Sequence, residues 1–172
     1  MTAAVVAVLV LAGAGGAAWY FTPRDDTTAV PAPIAPAAPS PTGADQGVAP
    51  APALLDVQVA SDRSVAESVV GSWLPRIAAR QAGLVENGTY DDARILQEFQ
   101  DLERTYPDAI LVRSDDYPTF RRPGFWVVLV ATPHSTAAQV NAWCDANGFD
   151  KGDCFAKRLS HTEGPQGNTV AR

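Results

Sequence analysis

The residues able to do chemistry in this chain of 172 are few: two cysteines, two histidines and a handful of adjacent acidic pairs. Cys144 and Cys154 have nine residues between them, holding a helix stop and a short loop, a span that one disulfide closes easily in an oxidising compartment. Closing that loop is expected to contribute roughly 2 to 3 kcal/mol. A metal site is the alternative reading, but two cysteines without a neighbouring histidine fall short of four ligands. No Cys-x-x-Cys spacing points to redox exchange either. His134 sits at a strand-to-helix turn and His161 at the opening of the tail SHTEGPQGNTVAR. Neither lies in a nucleophile-elbow, HExxH or phosphate-loop sequence. Glycoside hydrolysis needs two carboxylates facing each other across a cleft. Asp91 with Asp92 and Asp115 with Asp116 are instead neighbours in sequence, suited to a helix start and a solvated turn. No catalytic residue, metal or cofactor is therefore expected.

The net charge of −6, with no basic run at either end, offers no footprint for a phosphate backbone, so nucleic acid is not an expected partner. The N-terminus has a different character. From Ala3 to Phe21 there is no charge, and at about 1.5 Å per residue such a helix would cover roughly 28 Å, close to the thickness of a bilayer's core. Residues 1–22 are thus expected to form a transmembrane anchor, with Trp19, Tyr20 and Phe21 at the interface. The alternative is a secretory signal cleaved near Ala12, Gly13 and Ala14, which would release the chain. No Lys or Arg precedes the apolar run, and this suggests a natural start upstream of Met1. Residues 23–61, with Pro alternating among small residues, read as a disordered, extended spacer.

The elements that must position any site follow in residues 62–162. A short strand is expected from Val69 to Leu74, with Pro75 limiting it. The next loop turns at Asn87–Gly88; Asn87–Gly88–Thr89 also matches a glycosylation acceptor, but the turn reading carries more weight. Thr89 can cap a helix whose buried face is Ile95, Leu96, Phe99, Leu102 and Tyr106. AILVRS and FWVVLVAT form a hairpin pair across a polar connection. Ser135 or Thr136 then caps a helix ending at Asn147–Gly148, and CFAKRLS supplies the last strand.

The order βαββαβ is the split βαβ, ferredoxin-like pattern of the α+β class: a four-stranded antiparallel sheet with two helices on one face. Residues 163–172 are expected to be a flexible tail. Such a sheet leaves one face open to a ligand. Alternation separates Phe125, Val127 and Leu129 from Trp126, Val128 and Val130. Trp126 is assigned to the open face, joined there by Trp73 and Arg113.

The segments VVGSWLP, TYDDARIL, FWVVLV, NAWC and DCFAKRLSHTEGPQGNTV resemble the SPOR domain, the sporulation-related repeat, in the form of an extracytoplasmic module of actinobacterial membrane-anchored proteins. The resemblance covers about Val69 to Arg172. It implies non-catalytic binding of peptidoglycan glycan strands on the open sheet. The competing expectation is a protein-interaction or sensory ectodomain facing a cell-envelope protein, for which an apolar open face would be the mark.

Overall fold

The computed structural model describes residues 49–172. The expected anchor, most of the spacer and the question of the natural start lie outside the described residues. Among the described residues no helix is long and apolar enough to cross a membrane.

The elements are α1 (Ala51–Ser68), β1 (Trp73–Arg80), α2 (Asp92–Thr105), β2 (Ala109–Arg113), a 3-10 turn (Ser114–Asp116), β3 (Trp126–Val130), α3 (Ala137–Ala146), β4 (Phe155–Arg158) and β5 (Thr169–Val170). The sheet has the order β2-β3-β1-β4-β5 and every pairing is antiparallel. Its first four strands keep the expected βαββαβ order, while α1 and β5 are additions. The class is α+β, and the described residues hold five strands instead of four and three α-helices instead of two.

Local chemistry accounts for the helices. Asp91, not Thr89, caps α2 by accepting from the Arg94 amide (2.8 Å). Thr136 and Gln139 form a reciprocal capping box at the start of α3. The α1 helix occupies residues expected to belong to the spacer. Its Pro52 lies in the first turn, where a missing N–H does no harm, and Leu55 and Val59 fall one turn apart on the buried side. The first strand also differs from expectation: β1 runs on through Pro75. The ladder between β1 and β3 begins only at Arg76, so Pro75 removes no bond from it.

Two apolar clusters sit on opposite faces of the sheet. One joins Ile95 and Phe99 of α2 and Val140 of α3 to Leu111, Trp126, Val128 and Val130. The other joins Leu74, Ile110, Val112, Val127 and Leu129 to Tyr117, Leu159, Ala66 and Val69. Since α1 gives Leu55 and Val59 to the first cluster and Ala66 to the second, it crosses the edge of the sheet beside β2. There Asp62 Oδ2 accepts from the Leu111 amide (2.8 Å), occupying a donor of an edge strand that would otherwise invite pairing with another chain.

The expected flexible tail is ordered. Asn168 is buried, β5 pairs with β4, and the Arg172 side chain is only 4% exposed. Arg172 donates to the carbonyls of Cys154 (3.0 Å), Phe149 (2.7 Å) and Asp150 and pairs with Asp145, tying the chain end to the α3–β4 connection.

Candidate functional site

The alternation expected along β3 is present, but it places Trp126 on the helix-covered face. Trp126 is 6% exposed and belongs to the helix-covered cluster. Arg113, its partner in the β2–β3 register, lays its guanidinium 4.0 Å from the Trp126 ring centroid and reaches Asp115 at 3.6 Å. Trp73 lies toward the other end of the sheet: β1 places Arg80 opposite Trp126 and Trp73 opposite Arg158, roughly 20 Å away at about 3.3 Å per residue. Trp73 is partly buried against the helix-side cluster under Arg158. The three residues expected to share an open platform therefore do not assemble.

Nor is the opposite face open. Leu74, Val127 and Leu129 there are at most 1% exposed. Their cover includes Tyr117, Phe120 and Phe125, aromatic residues of the connection between β2 and β3, together with Leu159 and the end of α1. Five large apolar side chains on that face made a cover obligatory, because leaving them wet costs on the order of 1.5 kcal/mol or more each. Lys157 is buried under the same connection. It donates to Thr119 O and Thr169 Oγ1 (2.9 Å) beside the Phe120 ring, and burial lowers its pKa to about 8, with Arg121 and Arg76 adding to the effect.

Cys144 and Cys154 are joined, with Cα atoms 5.7 Å apart. His134 bridges Trp73 through both backbones, and its Nε2 is buried without a hydrogen-bond partner among the described residues. His161 stacks on Tyr117 (5.1 Å) with Nε2 2.7 Å from Glu67 Oε2, and Tyr117 Oη donates to the same carboxylate (3.0 Å). The hydrogen bond from His161 holds the Glu67 pKa below its ordinary value. This clasp fastens the C-terminal turn of α1. His161 thus faces a carboxylate and a phenol, while Asp91 with Asp92 stands at the start of α2 and Asp115 with Asp116 in the 3-10 turn.

The feature that sequence reading passed over lies at the far end of β1. Since β4 pairs only with Trp73–Arg76, Ala78–Arg80 pair with β3 alone, and Ile77 is a bulge residue between the paired positions Arg76 and Ala78. Beside this half-paired stretch is a cleft of about 340 Å³, walled by α2, the 86–90 turn and the α3–β4 connection. No family model matches the chain, and no curated protein or solved structure matches it. Its chemistry has to be read from the cleft itself.

Three arginines line that cleft. Arg80 is neutralised: its guanidinium forks onto Glu98 (2.8 and 3.0 Å) and reaches Glu86 at 3.4 Å. Tyr90, 7% exposed, holds the Arg94 and Arg80 guanidinium carbons 4.0 and 4.9 Å from its ring centroid. Arg94 donates to the carbonyls of Asn87 and Thr89 (both 3.3 Å), fixing a turn in which Asn87 (φ 51°) and Gly88 (φ 109°) adopt left-handed backbone. A Cβ on Gly88 would stand 2.9 Å from Arg94 Nη1 and would push the guanidinium aside. Arg76 lies over the Phe155 ring (4.0 Å) and donates to Gly152 O (3.3 Å). Burial lowers its pKa to about 10, which leaves it charged at neutral pH. Among the described residues neither Arg76 nor Arg94 pairs with a carboxylate. In sequence Pro75–Gly88 reads as a loop, which hides the strand that carries Arg76 and Arg80 to the cleft.

Proposed function

We propose that residues 49–172 form a non-catalytic binding module outside the cytoplasm, tethered by the N-terminal apolar segment, whose ligand seat is the arginine-lined cleft. One observation carries this reading. A half-paired strand borders a cleft holding two guanidinium groups without carboxylate partners, while both sheet faces are already covered. The disulfide supports an oxidising compartment.

Of the two ligand classes, this geometry favours a protein partner at the cell envelope. The burial of Trp126 removes the aromatic platform on which sugars would have stacked. The SPOR-like resemblance remains an inference from sequence segments, and the βαββαβ strand order is compatible with it. Glycan binding is the second reading, carried by the cleft arginines as donors to sugar carboxylates.

The deciding experiment is a pelleting assay of the oxidised full chain with purified sacculi, intact or stripped of stem peptides by an amidase. The protein-interaction reading predicts that the chain stays in the supernatant with both. Pelleting with stripped sacculi that is lost in an Arg76→Gln, Arg94→Gln double variant would place glycan in the cleft and reject the protein reading.

A further inference from the structure

We infer that the cleft takes an extended, acidic segment of a partner protein as an added strand along Ile77–Arg80, with its carboxylates meeting Arg76 and Arg94. The inference rests on the cleft being the ligand seat, and specifies the occupant.

Three observations converge on it. The first is the edge. β4 ends its pairing at Arg76, so Ala78–Arg80 have a strand on one side only, and the bulge residue Ile77 before them has no partner in either ladder. An unsatisfied strand edge is a template for another strand, and main-chain hydrogen bonds supply the affinity in strand addition. The Ala79 carbonyl at this edge accepts from Arg80's own guanidinium (3.3 Å), a weak contact that an incoming amide would replace.

The second is protection elsewhere. The β2 edge is blocked by α1 and by the Asp62 carboxylate on the Leu111 amide, and β5 is only two residues long. No strand pairs with β1 on that side beyond Arg76, and Ile77 and Arg80 line a cleft large enough for a short extended chain.

The third is charge. Strand addition by itself is indifferent to sequence, and flanking side chains give it selectivity. Both glutamates of the cleft already serve Arg80. Arg76 is partly buried and Arg94 is held in place by two carbonyls, so both cations are pre-positioned, and a carboxylate beside either regains the pairing that burial makes valuable. Asp153 on the rim disfavours a ligand of indiscriminate negative charge and favours one whose carboxylates alternate with other residues, as one side of a strand presents them.

The test is fluorescence anisotropy with the oxidised full chain and three labelled pentapeptides. These are alternating Glu-Val-Glu-Val-Glu, the same peptide with Gln in place of Glu, and the acidic peptide N-methylated at every residue to remove its backbone donors. The acidic peptide should bind, and the Gln version should bind about tenfold or more weakly, equivalent to roughly 1.4 kcal/mol. Arg76→Gln and Arg94→Gln should each weaken the acidic peptide similarly, and N-methylation should abolish its binding. Unchanged binding after N-methylation overturns strand addition, and this arm needs no folded variant. Equal binding by the acidic and Gln peptides overturns the charge assignment. If none of the three binds, the inference fails, while the binding-module reading is judged separately by the sacculus assay.

Discussion

Leu55→Ala probes whether α1 belongs to the folded unit. Leu55 is fully buried in the cluster shared with α2 and the sheet, four residues before Val59 and seven before the Asp62 contact with β2. The substitution removes three carbons from this site. At about 0.8 kcal/mol per buried carbon the transfer loss is about 2.4 kcal/mol. A cavity left against a sheet that cannot collapse adds to it, for a total of about 3 kcal/mol, within the range of such deletions. For a unit of roughly 120 residues unfolding with about 2.1 cal/mol/K per residue, this lowers Tm by about 10–12 °C. Urea titration followed by tryptophan fluorescence, with Val57→Ala as the control, gives the comparison directly. Val57 is 65% exposed on the same helix and should change stability by less than about 0.5 kcal/mol. A Leu55→Ala loss below about 1 kcal/mol, or equal losses in the two variants, would refute the docking of α1.

Three further outcomes are expected. Replacing both Cys144 and Cys154 by Ala should cost about 2.7 kcal/mol, the loop-closure entropy for a separation of 10, with little change in the denaturant slope; a loss under about 1 kcal/mol would place the stabilisation outside the unfolded chain. Because burial lowers Lys157 to about 8 from 10.5, the unfolded chain holds a proton that the folded one has released between those values. Stability relative to a Lys157→Met variant should therefore rise with pH across that window, and parallel pH profiles would contradict it. Glu67, held low by His161, contributes stability that is present above its unfolded value of 4.5 and is lost as pH falls through the lowered folded value. Glu67→Gln should flatten that acid limb in thermal melts, and an unaltered limb would remove the clasp from the account.

Much of this fold was legible from local chemistry. The spacing of Ile95 and Phe99, the Thr136 cap, the Asn147–Gly148 stop and the β2–β3 hairpin pattern each act over a few residues, and a chain carries such signals in its own order. The cysteine pairing was legible for the same reason, since a short loop closes without help from distant elements. The α1 helix was missed because the prolines nearby draw the eye to a spacer, although Leu55 and Val59 already carried the helical period.

What the chain could not reveal alone is which side of a strand meets water. Alternation along β3 divides Trp126 from Val127 whichever face is covered, and the choice depends on where α2, α3 and the aromatic residues of the β2–β3 connection finally lie. The cleft is tertiary in the same sense. Arg76, Arg80 and Arg94 come from two elements, β1 and α2, and they share a cleft only once the two are packed together. Sequence determined the elements and most of their order, because propensity, capping and periodicity are short-range. Tertiary structure decided the faces, the free edge and the site, because burial and strand pairing are settled between residues far apart along the chain.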